Sequence, residues 1–439
     1  MRIAFDVFVY TFCGISLLMI FHYLYNLSLT LTFLNNRKRS NYSGRMEGKV
    51  NMIVILPCLR EQNVIEGSIE YFSNLKPFNV NVYLLVACTN RELETNEKHG
   101  FKKTTAEIAK GFIKGYEFDE SFVPLVYEAD DPEGDRATQM NYAVDTFLRE
   151  HQDLNIDIVA AFDADSRPIK ETFDEVAFKY RNNPNCSYQQ PDMYLKSADD
   201  MKKDGSSYLA MANAIYQNEW TMLSEIPMLI KYGKSNGKYK GYFYCNGHGE
   251  FFPLPIWKKI RFPEHEITDG IHIGYRLGMS GYEVEILDSY GNTDAPHSVK
   301  ALPKQHKRWF GGCNRLLSCY KWCKANGYKP KKTMVIAGLW SQARWAFTAP
   351  LFIVNLLISI LSFAMFGDFV PLTILCSLFF VYCYVYSLVS LKIDPVKRKF
   401  PIVAYLLVPF AIFVKSIGPT IYNLEKIFRR KQVYEKVER

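Results

Sequence analysis

Two carboxylates one residue apart, Asp163 and Asp165, close an apolar run from Ile156 to Phe162, in the stretch Ala160-Ala161-Phe162-Asp163-Ala164-Asp165-Ser166-Arg167-Pro168. In an extended chain, residues i and i+2 point the same way. Both carboxylates can therefore face one ligand at the end of a buried strand. Hard oxygen donors of this kind suit Mg2+ or Mn2+, ions that often also hold substrate phosphates. The bland alternative is a solvated turn before Pro168, and a lone D-x-D decides nothing by itself. Four other stretches carry reactive or ligand-binding residue types: Asp135-Arg136, Gly247-His248-Gly249, Thr268-Asp269-Gly270 and Gln305-His306-Lys307-Arg308-Trp309.

The elements that must position these residues read as soluble α/β from Val50 onward. Val50 to Pro57, Val80 to Ala87, Phe122 to Tyr127 and Ile156 to Phe162 are short apolar runs, as buried parallel strands require. Helical patterns lie between and after them, at 63–75, 102–114, 137–149, 171–180 and 206–224. Such alternation implies right-handed βαβ units and a mostly parallel sheet. Ligands of open parallel sheets bind beyond the carboxyl ends of strands, so Pro57, Thr89 and Asp163 should share one crevice. Tyr242 to Phe252 reads as strand-like around a Gly-His-Gly kink, where backbone can approach a ligand. Ile271 to Met279 is an amphipathic helix that Thr268 or Asp269 could cap. On a helix, Gln305, Arg308 and Trp309 share a face; the alternative is a basic helix lying on a membrane surface.

Composition agrees with membrane attachment. Of 439 residues, 48% are apolar and 15% aromatic, and these concentrate at the two ends. Val7 to Asn36 carries no Asp, Glu, Lys or Arg, and a span needs about 20 such residues. Arg37, Lys38, Arg39 and Arg45 follow, placing the next region in the cytosol by the positive-inside rule. Segments 345–366 and 369–391 are uncharged and span-length, separated by Gly367-Asp368. Segment 400–424 is weaker, interrupted by Lys415, Pro409 and Gly418-Pro419, and its third span stays open against a re-entrant or interfacial segment. The expected organisation is a membrane helix (1–36), a basic linker (37–49), a catalytic domain (50–310) and interfacial helices (311–344). A membrane region (345–424) and a basic tail (425–439) complete it. The net charge of +8 sits beside apolar runs rather than forming a nucleic-acid-binding face. Ten cysteines in so long a chain form no disulfide framework. Cys313, Cys319 and Cys323 read as thiols rather than zinc ligands.

In this order and setting the motifs resemble those of the membrane-embedded family 2 glycosyltransferases, the group with cellulose, chitin and hyaluronan synthases. The likeness runs from about Val50 to Trp309. Leu56-Pro57-Cys58-Leu59-Arg60-Glu61 ends the first strand. Arg136-Ala137-Thr138-Gln139-Met140-Asn141 resembles the family's Lys-Ala-Gly-x-x-Asn turn. Asp163 and Asp165 form the D-x-D, and Gly247 to Phe252 the acceptor-side strand. Thr268-Asp269-Gly270 resembles Thr-Glu-Asp, and Gln305-x-x-Arg308-Trp309 matches Q-x-x-R-W. Each motif is weak alone; six in order between membrane segments are specific.

The resemblance implies a GT-A type Rossmann-like domain and inverting transfer from a nucleotide sugar, with a UDP-sugar expected, under Mg2+ or Mn2+. It assigns Pro57, Glu61, Thr89, Asn90, Asp135 and Arg136 to the donor. Asp163, Asp165, Gln305 and Arg308 join them, the first two holding the metal. Gly247, His248, Gly249 and Trp309 fall on the acceptor side. Two places depart from the pattern. The family's second strand ends in Asp residues that hold uridine, whereas this chain reads Ala87-Cys88-Thr89-Asn90. The last Asp of Thr-Glu-Asp aligns with Gly270, so the base is Asp269 through a small shift, or Glu266, or activity is impaired. The acceptor implied is a growing polysaccharide extruded through the enzyme's own helices; a single addition to a lipid-linked or other glycan is the alternative. A non-catalytic membrane scaffold is a third reading. All three readings make the chain an integral membrane protein among lipids, its catalytic domain facing the cytoplasm.

Overall fold

The computed structural model describes residues 2–37, 42, 44, 47–93, 96, 100–195, 198–266, 268–293, 295–394 and 397–428. The basic residues Lys38, Arg39, Arg45, Arg429, Arg430 and Lys431 lie outside them.

Nine strands are present among the described residues: β1 (Val50–Pro57), β2 (Val80–Thr89), β3 (Phe122–Ala129), β4 (Ile158–Ala161), β5 (Cys186–Gln189), β6 (Asp192–Met193), β7 (Glu250–Pro253), β8 (Glu283–Ile286) and β9 (Gly291–Asn292). Seven form one sheet, in the order β3-β2-β1-β4-β7-β5-β8. β1 pairs in parallel with both β2 and β4, β2 with β3, and β5 with β8. The fold is α/β, with a mostly parallel sheet as expected. Side chains alternate between two cores. Ile53, Ile55, Val159 and Ala161 pack on the helix Arg136–Glu150. Met52, Val54, Leu56 and Ala160 pack on Ile65–Asn74, Thr105–Gly115 and Lys170–Asn182. A central strand buried on both faces explains why these runs are continuously apolar.

β7 is the exception that builds the site. It runs antiparallel to both neighbours, β4 and β5, so its N-terminal end lies beside the C-terminal end of β4. The Gly249 N–H donates to the Ala161 carbonyl at 2.9 Å, bringing Gly247-His248-Gly249 alongside Asp163. The expected strand from Tyr242 is confined to Glu250–Pro253. Residues 242–249 are irregular because Gly247 (φ 93°) and Gly249 (φ 63°) adopt left-handed backbone. The Gly247 N–H turns to Glu250 and the Asn246 N–H to Gln189.

Among the described residues three helices are long and apolar enough to cross a membrane: Asp6–Arg37, Lys332–Phe366 and Val370–Ile393. They expose side chains such as Leu18 (70%), Phe21 (59%) and Phe363 (50%). The second begins at Lys332, so Gln342 and Arg344 share a helix with the expected span 345–366. Left-handed Gly367 ends it, and Asp368 Oδ1 accepts from the Val370 N–H at the start of the next helix at 3.1 Å. The weaker segment 400–424 folds as Ile402–Leu406 and Val408–Ile427, neither among the three span-length helices. Val408–Ile427 instead lies on the helix Ala301–Cys313: a Cβ on Gly418 would meet the backbone of Lys307 at 2.5 Å, and Lys307 pairs with Glu425 at 2.7 Å.

The helix Asp6–Arg37 is also docked on the α/β domain. The helix Tyr208–Trp220 widens into a π-turn, Thr221–Glu225, before Ile226–Gly233. A π-turn leaves carbonyls without their α-helical partners. Asn26 donates to Leu223 O at 2.7 Å and Thr30 to Met222 O at 2.5 Å.

Candidate active site

The carboxyl ends of β1, β2 and β4 open onto a cavity of about 1430 Å3. Pro57, Glu61, Thr89, Asp135, Arg136, Asp163 and Asp165 line it from the sheet side. Gly247, His248, Glu266, Asp269, Gln305, Arg308 and Trp309 line it from the far side. The helix carrying Gln305, Arg308 and Trp309 thus turns them inward rather than onto a membrane surface. Asn90 and Gly249 do not line the cavity. The Asn90 side chain is tied to Asp130, and the Gly249 backbone serves the sheet.

Arg136 joins three of the motifs. Its Nη2 donates to Asp163 Oδ1 at 3.0 Å and to the Gly247 carbonyl at 2.8 Å, while Nη1 donates to Asp269 Oδ2. Burial opposes the guanidinium's charge, but Asp269, Asp163 and Glu250 outweigh it and raise its pKa further. Asp269 is buried. Burial pushes its carboxyl above the usual range, and Arg136 only partly offsets this. Thr268 occupies the N-cap position without a side-chain cap, and Asp269 faces Arg136, so capping does not account for Asp269. Asp135, by contrast, is an N-cap: it accepts from the Thr138 N–H at 2.8 Å. Glu266 lies 3.4 Å from His272 and 3.5 Å from Arg315.

Packing explains the glycine where the family's last acid belongs. A Cβ on Gly270 would lie 2.0 Å from Gly247 Cα and 3.0 Å from Glu250 Oε1. One turn on, a Cβ on Gly274 would meet Cys245 N at 2.1 Å. The helix Asp269–Ser280 thus carries a bare stripe across which residues 244–247 lie, and no side chain fits at position 270. Glu250 occupies the neighbouring space, fully buried; burial and then the charge of Asp269 push its pKa up to about 7.

The sequence left several polar groups in and directly behind the cavity wall unremarked. Asp192 is buried, 3.3 Å from His248 Nδ1 and 3.0 Å from Asn246 Nδ2. Burial pushes Asp192 up to about 6. Burial alone would lower the His248 pKa, but Asp192 and then Asp163 raise it. Glu225, in the π-turn, accepts from Tyr244 at 2.9 Å, and Trp220 donates to Tyr244 at 3.3 Å. The signal for Glu225 was a carboxylate set directly before the apolar run Ile226 to Ile230; no spacing pointed to Asp192.

Asp163 and Asp165 both line the cavity, but Asp165 lies in a turn that the Ser166 N–H closes on the Asp163 carbonyl at 2.9 Å, in place of the extended run expected there; together they would offer a metal ion two carboxylates. That leaves coordination positions for phosphate and water, as Mg2+ and Mn2+ require. Among the described residues no cluster of three or more His, Cys, Asp or Glu could hold a metal by itself. The pair therefore suits an ion shared with a phosphate ligand. The cysteines among the described residues are free, and Cys313, Cys319 and Cys323 are buried.

Residues 158–391, just over half of the chain, match the model of glycosyl transferase family group 2. The chain belongs to that family and is a glycosyltransferase. Among solved structures, the mannosyltransferase PcManGT from Pyrobaculum calidifontis, in complex with GDP-Man and Mn2+, aligns at 11% identity and a TM-score of 0.49, over 96% of this chain and 100% of the other. S. aureus TarS 1-349 in complex with UDP aligns at 10% identity and a TM-score of 0.37, over 88% of this chain and 93% of that fragment. No curated protein matches the chain in sequence.

Proposed function

We propose that the protein is an integral-membrane, inverting glycosyltransferase that moves a sugar from a nucleotide diphosphate donor, a UDP-sugar in the first instance, to a growing polysaccharide. One observation carries this reading: Arg136 gathers the D-x-D carboxylate, the Gly247 carbonyl and Asp269 in the cavity that Arg308 and Trp309 also enter. An acceptor hydroxyl held near Trp309 gives its proton to Asp269 as its oxygen bonds the anomeric carbon. The bond from that carbon to the diphosphate oxygen breaks on the opposite face, and the electron pair leaves with the nucleotide. Arg308 supplies fixed positive charge for the departing phosphates, and Arg136 exchanges its carboxylate partners for them as the donor binds. Asp163 and Asp165 would hold Mg2+ or Mn2+, which when bound neutralises the diphosphate. Gln305 sits beside the donor. The three span-length helices, with Arg37 at the end of the first, support a membrane enzyme whose catalytic domain faces the cytoplasm. A cavity reaching those helices supports chain growth over single addition.

The base assignment is tested by replacement. Asp269→Asn should keep donor binding and lower transfer by about 10²–10⁴-fold, whereas Glu266→Gln should leave most of it. Transfer retained in Asp269→Asn and lost in Glu266→Gln moves the base to Glu266.

A further inference from the structure

The cavity extends beyond the residues that donor chemistry uses. Past Trp309 its lining includes Tyr23, Arg344 and Tyr382, one from each span-length helix, together with Tyr216 of the catalytic domain and Lys415 of the last helix. The two parts are linked through His306, whose ring meets Trp309 edge-on at 5.4 Å and Trp345 at 5.9 Å.

This inner end holds two cations. Arg344 Nη2 donates to the Tyr23 hydroxyl at 3.1 Å, and its Nε is buried without a hydrogen-bond partner. Lys415 Nζ donates to the Tyr216 hydroxyl and lies 3.9 Å from that ring's centroid and 5.4 Å from Trp220. Among the described residues neither cation forms an ion pair. The carboxylate facing Lys415 is Glu219, which accepts from Ser387. Burial pushes Glu219 up to about 8 and Lys415 down to about 7, so neither is held firmly in its charged form. His306 is buried with neither ring nitrogen partnered. A buried guanidinium with no carboxylate partner, beside an amine that burial discharges, is costly, and an anion entering between Arg344 and Lys415 would stabilise the charge on both. An arginine at headgroup depth can instead reach out to lipid phosphates, but Arg344 turns inward to Tyr23. Ser341, Thr348 and Ser416 add hydroxyls to the same lining. Hydroxyls and aromatic faces suit a sugar chain better than an isoprenoid tail.

Resting on the glycosyltransferase reading above, we propose that Arg344 and Lys415 form a subsite for a carboxylate on the acceptor, so that the enzyme extends an acidic glycan. The carboxylate belongs to a sugar set back from the growing end, whose terminal ring lies at Trp309.

The test compares a glucuronate-containing oligosaccharide with its carboxyl-reduced counterpart. Binding to the full-length chain in detergent is read by quenching of tryptophan fluorescence, which needs no donor. The carboxylate form should bind at least about 10-fold tighter, and Arg344→Met should shrink that preference to about 2-fold while Arg344→Lys restores part of it. Equal binding of the two oligosaccharides overturns the proposal, and so does a preference that survives in both Arg344→Met and Lys415→Met. Displacement of the bound oligosaccharide by polyprenyl phosphate at lower concentration than by free glucuronate oligosaccharide overturns it in favour of a lipid phosphate. Lys415→Met gives the same reading should Arg344→Met fail to fold. Failure of the chain to turn over any nucleotide sugar is a separate result, which counts against the transferase reading.

Discussion

The two ends of the cavity handle charge in opposite ways. At the sheet end carboxylates and bases are paired: Arg136 spans Asp163 and Asp269, and Asp192 faces His248. At the membrane end Arg344 and Lys415 meet tyrosine hydroxyls and rings instead of carboxylates. A closed network suits a ligand that brings its own counterions, since a diphosphate with its metal can exchange for pairs already present. An unbalanced one suits a ligand that supplies the missing charge. On the proposed reading, the difference separates donor from acceptor within one continuous space.

The comparison breaks most sharply at the sheet end. Asp165→Ala should lower metal-dependent turnover by about 10³-fold, measured as donor consumption across a Mn2+ titration, while leaving oligosaccharide binding at the membrane end intact. Full turnover in that variant would remove the D-x-D from the donor site. Gly270→Ala comes next. Its Cβ meets the Gly247 backbone at 2.0 Å, and overpacking of this kind costs about 1–3 kcal/mol. It should displace the Gly247 carbonyl from Arg136 and depress activity alongside a fall in thermal midpoint; an unshifted midpoint would mean that the segment yields freely. The smallest effect concerns the joint between the two ends. Asn26→Leu removes the donor to Leu223 O and should cost about 1–3 kcal/mol by leaving a buried carbonyl unpaired, read by thermal unfolding in detergent.

Much of the sheet end was legible in the sequence, for a physical reason. β1 and β2 are buried on both faces and so write themselves as unbroken apolar runs, and parallel topology then puts Pro57, Thr89 and Asp163 at one edge. What escaped depends on contacts between distant segments. The antiparallel placement of β7 is set by its neighbours β4 and β5, not by residues 242–253 alone. Gly270 read as a lost acid because nothing local reveals that Gly247 presses on it. Lys415 read as an interruption in a membrane segment, yet Val408–Ile427 packs on the helix of Gln305 and Arg308. Tyr23, Tyr216 and Tyr382 around Arg344 and Lys415 come from three separate elements, and no spacing in the chain brings them together.

The central claim is that one cavity joins nucleotide-sugar chemistry to a growing chain. Purified full-length protein, supplied with Mn2+ and a panel of radiolabelled nucleotide sugars, tests it by turnover and product size. The account predicts consumption of one donor and a ladder of long products. A single added sugar would contradict chain growth, and no turnover of any donor would contradict the assignment of the site.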